Sequence, residues 1–496
     1  PMLVLAGAMG WAGAPIGLLS QGYFILLPVI AVADGIHLVM RTGELGRIDH
    51  SDRDRVIVDG CRRVGLSCFA TSATTAMGFA SLALSSMPML RAFGLWAAGG
   101  VMLAWALLLF VGPLLLSCVE DLRGHPQGVT RLDEWLVRAT AIARRRPLAV
   151  VIVALAIAGA ASWRARDIPV DNRLSDLVDA REPAARASAV IDARLGGVLS
   201  LELELSGEPG SFAQPERMAA MDRLERWLAA QPGVRAVIGP ATLLRASGAG
   251  MDDADALQRG LRRLEDAGLR EGVLDGTDAR ARISVRVTDA GGLAFAALEE
   301  RVLARARQVE GLGVVSTGTT ALAYHGVNRI AGELRTSLLG AFVVVTLTIA
   351  VVFRDVRLGI AAIIPNGIPL AIGWAAIAIG LGRFDPLGGI VLAVALGIAV
   401  DDTIHLVARA REASVEAPDE DAIASAVRGT GMACTITSIV LAAGLALFLS
   451  SSFPPLRVLG GLGATVIIAA LVCDLWLLPA VLRLLRWPAR SARKGS

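Results

Sequence analysis

Residues 65–113 of this chain recur at 431–479 without a gap. At that offset, 17 of the 49 positions are identical. The matches include Cys68 with Cys434, Thr71 with Thr437, Ser72 with Ser438, Gly78 with Gly444, Pro88 with Pro454, Arg91 with Arg457, Gly94 with Gly460 and Pro113 with Pro479. Chance agreement between two apolar segments falls on Leu and Ala. Agreement on Pro, Arg, Thr and Ser in register marks a duplicated unit, running the same way twice.

The duplicated segments are apolar, as is most of the chain. Apolar residues make up 54% of the 496, and the mean hydropathy is +0.59. That balance excludes an ordinary soluble protein and predicts a polytopic α-helical membrane protein. Stretches of the length a bilayer requires, about 20 residues each, fall at 2–19, 22–41, 64–84, 92–118, 147–163, 337–354, 358–381, 386–409, 430–450 and 456–485. Ten spans are therefore expected. The formal net charge of +3 is uninformative, but its distribution is not. Basic linkers follow the second span (Arg41, Arg47, Arg53, Arg55), precede the fifth (Arg144 to Arg146), and follow the sixth (Arg354, Arg357) and the eighth (Arg409, Arg411). By parity these share one side with the basic tail, so that side is read as cytoplasmic.

The resulting layout has a membrane part over 1–120, a cytoplasmic linker at 121–146, one span at 147–163, a polar region at 164–336, further spans over 337–486 and a basic tail at 487–496. The tail could meet anionic lipid heads or serve only to set topology. The polar region falls outside the membrane on the opposite side, in the periplasm of a bacterial inner membrane. Its pattern is that of a small α/β domain. Strands are predicted at 198–205, 234–238, 281–287 and 314–316, and helices at 215–230, 252–272 and 293–309. One sheet with helices on one face is expected. The cysteines Cys61, Cys68, Cys118, Cys434 and Cys473 are too scattered for a disulfide framework or a zinc site. No metal and no cofactor is expected, and nothing points to nucleic acid or to enzymatic catalysis.

Two spans carry an acid and a histidine one turn apart: Asp34 and His37, and Asp401-Asp402 with His405. An ionisable residue at the centre of a span costs about 2.5–3.5 kcal/mol on insertion scales. A chain that bears this twice, at an offset of 368 that matches the repeat, is expected to use those groups. Asp402 and His405 are three apart, and Asp401 and His405 four apart, so each pair shares a helix face. An imidazole there can stabilise a carboxylate or pass its proton on. Asp34, Asp401 and Asp402 are the candidate proton relay. His37, His405, Thr71, Ser72, Thr75, Thr437 and Ser438 are the candidate partners. The plainer reading is a structural hydrogen-bond network, since small polar residues also join helices in membranes. Gly78, Gly444 and Gly397 are expected where helices pack closely.

This layout resembles the resistance–nodulation–cell division (RND) superfamily, and most closely its MMPL-type and Patched-like branch. Gly397 to His405 (GIAVDDTIH) is similar to the GxxxDD signature of that branch's tenth span. Thr71 to Gly78 and Thr437-Ser438 look like its fifth and eleventh spans, and Thr317 to Thr320 like the exit from its outer domain. The resemblance implies twelve spans and ferredoxin-like porter domains outside. It also implies acids on spans four and ten that carry protons, and a hydrophobic or lipid-like substrate. Set against twelve spans, the chain reads as lacking a first span, a first outer domain and a second span, roughly 220 residues. One departure stands out. The first copy has Ala33-Asp34 where the second has Asp401-Asp402, and Val29 where the second has Gly397. Lysine, which some RND branches place opposite the acids, is absent from the spans.

The leading expectation is a proton-driven exporter, alone, as a homo-oligomer or with accessory periplasmic proteins. Membrane lipids surround it. The alternative is a sterol-sensing-like or scaffold protein that binds lipid without pumping.

Overall fold

The computed structural model describes residues 1–17, 20–48, 53–85, 88–119, 134–309, 311–416 and 421–487. Half of the expected linker at 121–146 and nearly all of the basic tail lie outside these. The chain divides into two compact units. One holds the residues up to Pro169 and nearly all of those from Gly332 onward; the other is built from Val170–Ala331.

In chain order the helices of the first unit begin with α1 (Met2–Trp11), α2 (Ser20–Ile48), α3 (Arg53–Ala80), α4 (Pro88–Ser117), α5 (134–139), α6 (Ala141–Arg145) and α7 (Pro147–Ala165). The second unit comprises α8 (Pro183–Arg194), β1 (Leu199–Ser206), α9 (Pro215–Ala229), β2 (Val234–Ile238), α10 (Pro240–Ala246), α11 (Ala254–Asp266), β3 (Arg280–Val287), α12 (Gly292–Ala306) and β4 (Gly313–Thr317). Then follow α13 (Thr319–Val352), α14 (Val356–Gly380), α15 (Pro386–Glu416), α16 (Ala422–Ala446), α17 (Pro454–Val472), a π-helical segment at Cys473–Leu477 and α18 (Leu478–Leu484).

Eight helical stretches among the described residues are long and apolar enough to cross a membrane. They correspond to eight of the ten expected spans. The other two positions hold shorter apolar stretches, Met2–Trp11 and Leu338–Val352. Most of these helices expose apolar side chains along much of their length, as a lipid-facing surface requires. The stretches Gly388–Glu416 and Pro454–Leu484 are the exceptions, and Gly388–Glu416 is the most buried of the eight, at 83%. It is the central post of the bundle, with α3, α14 and α16 packed against it.

The repeat is visible as geometry. The matched helices α3 and α16 each run into a short 3-10 turn, Ser81–Leu84 in the first copy and Leu447–Ser450 in the second. Each then restarts with proline at the first helical position, Pro88 and Pro454, where its missing N–H costs nothing. A Cβ on Gly94 would overlap the carbonyl oxygen of Phe79, and one on Gly460 that of Leu445. These matched contacts are where backbones approach closely. The expectation that Gly78 and Gly444 do this is corrected: a Cβ on either would meet nothing within 4 Å. Both leave room for a Cβ, so neither marks a close backbone approach.

In the second unit the sheet order is β2-β3-β1-β4, antiparallel throughout. This is the split βαβ arrangement, in which each crossover skips one strand and the intervening position is filled from the other half. Alternation decides the faces. Leu201, Leu203 and Leu205 of β1 and Ile283 and Val285 of β3 are fully buried. They pack with Met218, Met221, Leu224 and Leu228 of α9 and Phe295, Leu298 and Val302 of α12. The opposite face carries Glu202, which accepts hydrogen bonds from Arg282 Nε at 2.9 Å and Ser284 Oγ at 2.8 Å. Burial raises the Glu202 carboxyl, but these donors outweigh it and leave the group below its usual range. Strand and helix positions match those expected to within two residues, except that the predicted helix over 252–272 ends at Asp266 and the one over 293–309 at Ala306. Two further helices, α8 and α10, were not expected.

Candidate functional site

The acids of the two copies sit in matching hydroxyl cradles. Asp34 on α2 lies 3.5 Å from Thr71 Oγ1 and 3.3 Å from Ser72 Oγ, both on α3. Asp402 on α15 lies 3.4 Å from Thr437 Oγ1 and 2.7 Å from Ser438 Oγ, both on α16. In each case the hydroxyls donate to the two carboxylate oxygens. All six residues are buried. Hydroxyl donors of this kind let a carboxylate remain in an apolar setting without a permanent counter-charge.

The histidines lie between the copies. The rings of His37 and His405 stack with centroids 3.8 Å apart and planes within 5°. Both rings are buried. His37 Nε2 points across the repeat to Asp402 Oδ1 at 3.8 Å, while His405 Nε2 approaches Asp401 Oδ1, on its own helix, at 3.4 Å. Two charged imidazoles at this spacing would repel by about 4 kcal/mol at an effective dielectric near 20.

Asp401 faces the first copy. It shares a small enclosed space with Ile30, Ala33, Thr71, Ser72 and Thr75. Thr75 Oγ1 donates to the carbonyl of Gly397 at 2.9 Å. A Cβ on Gly397 would lie 3.2 Å from the Thr75 methyl, so this glycine sits where α3 and α15 approach closely. Thr75 thus bonds backbone, not an acid. The thiols of Cys68 and Cys434 complete two sets, Asp34 with Cys68 and His405, and His37 with Asp402 and Cys434, whose ligand atoms lie within 4.8 Å of one another. Each set is one ligand short of a closed zinc site.

The repeat extends further than the acids and histidines. Arg41 and Glu44 match Arg409 and Glu412 at the same offset. In the structure these pair crosswise: Arg41 with Glu412, and Arg409 Nη2 with Glu44 at 2.8 Å. Arg63 joins Glu412 and Glu416. A cavity of about 660 Å³ runs from this network to both histidines, lined by Arg41, Arg63, Arg409, Glu412, His37 and His405 among others. The pattern D-x-x-H-x-x-x-R-x-x-E was available twice in the sequence as a signal for this crossing. A further buried acid, Asp474, lies in the π-helical segment. Its signal was equally plain: an acid in the last apolar span, with Leu108 at the matching position.

Comparison with known proteins places the chain among membrane proteins. Over 229 residues, 44% of the chain, the sequence is 30% identical to "Putative membrane protein ActII-3" of Streptomyces coelicolor. Over 114 residues, 23% of the chain, it is 31% identical to "Putative membrane protein MJ1562" of Methanocaldococcus jannaschii. The aligned stretches span 32% and 29% of those proteins, about a third of their length. The model of the MMPL family matches residues 205–495, from β1 through the second cradle to the end of the chain. That match covers more than half of the sequence, and this multi-pass membrane protein belongs to the MMPL family.

Proposed function

We propose that the protein is a proton-driven RND-type exporter of a hydrophobic or lipid-like substrate, with Asp34, Asp401 and Asp402 as its proton relay. The observation that carries this reading is the pair of hydroxyl-cradled acids joined by the stacked histidines. A structural network would need each polar group paired for good. Here the His37 and His405 Nε2 atoms and Asp401 Oδ1 lack a well-formed hydrogen bond among the described residues. They are placed to take one up when a proton arrives. The cavity that reaches the histidines from the arginine–glutamate network gives water a way to them from one end.

A proton arriving at Asp402 would cancel its attraction to His37 and loosen α2 from α15. Proton entry down the membrane potential supplies about 2.3 kcal/mol per charge per 100 mV. Protein–protein contacts of a few kilocalories can be exchanged on that scale. The α/β unit, read as lying in the periplasm of a bacterial inner membrane, would handle the substrate.

The test is expression of the chain and of Asp402→Asn, followed by comparison of the extractable lipids on the cell surface. A difference that wild type makes and the variant does not supports the relay. Equal export by both, at equal membrane levels, would sink it and leave a lipid-binding protein without pumping.

A further inference from the structure

Asp474 is 1% exposed and plays no part in the relay described above. It lies in the π-helical segment Cys473–Leu477, a backbone irregularity that frequently marks functional positions in helices. Its Oδ1 accepts a hydrogen bond from the Thr403 hydroxyl, and its Oδ2 has no partner among the described residues. The same hydroxyl stands 3.4 Å from Asn366 Oδ1 on α14. Asn366 Nδ2 is already committed to the carbonyl of Ala362 at 2.9 Å. One line of buried side chains therefore joins the last span, α15 and α14.

The first copy shows that packing does not demand these groups. The positions matching Thr403 and Asp474 are Gly35 and Leu108, and a Cβ on Gly35 would lie 4.0 Å from Leu108 Cδ1. At the corresponding place in the first copy, an apolar leucine side chain faces a glycine. An acid has been placed where leucine would serve, at a desolvation cost answered by a single hydroxyl.

The chemistry of the line gives it two states. A hydroxyl has one proton to donate. Facing an ionised Asp474, Thr403 gives that proton to the carboxylate. A protonated Asp474 instead donates its own O–H to the Thr403 oxygen, and the Thr403 proton turns to Asn366 Oδ1. The hydrogen bond between α15 and α14 forms only in the second state.

We propose that Asp474 is a further proton-carrying residue of this protein, with Thr403 as the positioning residue that transmits its state to Asn366 on α14. The proposal deepens the proton-coupled reading and rests on it. The titratable groups that face Asp474 are Asp401 and Asp402 on α15, Cys434 on α16 and Cys473 beside it. Arg144 and Arg145 lie on α6, which also packs against the segment, and Arg144 is turned to Asp421 at 3.0 Å. Because Asp402 and Thr403 are adjacent, a proton on either acid eases the charge felt by the other.

The experiment is infrared difference spectroscopy of the full chain in liposomes, between acidic and alkaline pH, reading the carboxyl C=O stretch. The expected result is one titrating band that disappears in Asp474→Asn and in Asp474→Leu and persists in Asp34→Asn. Thr403→Val should keep that band and move its frequency, which a merely structural role would not do. A spectrum of Asp474→Asn indistinguishable from wild type overturns the proposal. Asp474→Leu installs the residue the first copy carries, and Asp474→Asn is nearly isosteric should the leucine variant fail to fold. Bands removed by Asp34→Asn and Asp402→Asn report on the relay separately, so the two readings fail in different variants.

Discussion

Asp34 in the first copy and Asp402 in the second are held by the same residues in the same way, a threonine and a serine one helix over. Their surroundings differ. The first copy has Ala33, Gly35 and Leu108 where the second has Asp401, Thr403 and Asp474. One buried acid faces two buried acids and the half-buried Asp401. The shared frame is what duplication preserved and what the fold requires. The surplus of acid is confined to one side, so the two halves carry unequal numbers of carboxyl groups while sharing one pair of histidines between them. A symmetric scaffold with an asymmetric load can favour one order of protonation over the reverse.

The largest effect should come from the acids themselves. Asp34→Asn and Asp402→Asn are each expected to slow potential-driven proton entry into liposomes by about tenfold or more, equivalent to ~1.4 kcal/mol on the barrier. Asp401→Ala gives the second copy the residue of the first. If the surplus matters, it falls as far. A rate equal to wild type, read with an internal pH dye, would reduce the working site to the symmetric pair.

After these effects on transport, the largest effect on stability should come from the matched glycines. Gly94→Val and Gly460→Val each force a side chain into a carbonyl and should cost about 1–3 kcal/mol or more. Thermal unfolding in detergent should show similar losses for both, with Gly78→Ala and Gly444→Ala near neutral. Unequal losses at Gly94 and Gly460 would break the idea of a common frame.

The crossed ion pairs are expected to be weaker. Double-mutant cycles on Arg41 with Glu412 and on Arg409 with Glu44 should give coupling of about 0.5–1 kcal/mol each, nearly alike. Coupling in only one cycle would show that the crossing is not symmetric.

The smallest effect concerns a buried acid with a full set of donors, which sharpens the contrast with Asp474. Glu202 titrates below its ordinary value of 4.5 in the folded protein. Its contribution is therefore present above that value and is lost as pH falls through the folded one. Arg282 is largely exposed, so the contribution is modest, about 1 kcal/mol. Glu202→Gln should flatten the loss of stability on acidification. An acid limb identical to wild type in a pH-dependent melt would show that Arg282 and Ser284 do not favour the ionised form.

Most of the fold could be read from residue pattern because burial imposes periodicity. The alternation of Leu201, Leu203 and Leu205 predicts β1, and the apolar runs predict the bundle. The sheet order could not be read, since alternation records which face a strand buries and not which strand lies beside it. The cradle residues were legible through the repeat: Thr71, Ser72, Thr437 and Ser438 match where chance would not. Thr75 was read as an acid partner and bonds the Gly397 carbonyl, because one turn of helix carries it about 4.5 Å along the axis from Ser72, to where α3 meets Gly397 on α15. Asp474 was visible as an acid in an apolar run. Its only mark was its own cost, without a histidine or a repeat partner to point to it.

The sequence by itself determined that the chain is a membrane protein built on a duplicated unit, and which acids and hydroxyls that unit keeps. Hydropathy and repeated identities are properties of single positions and survive without coordinates. Only the tertiary structure decided that the copies face each other through stacked histidines and crossed arginines. Contacts between residues some 370 apart depend on how helices rotate and pack, and no local pattern encodes that rotation.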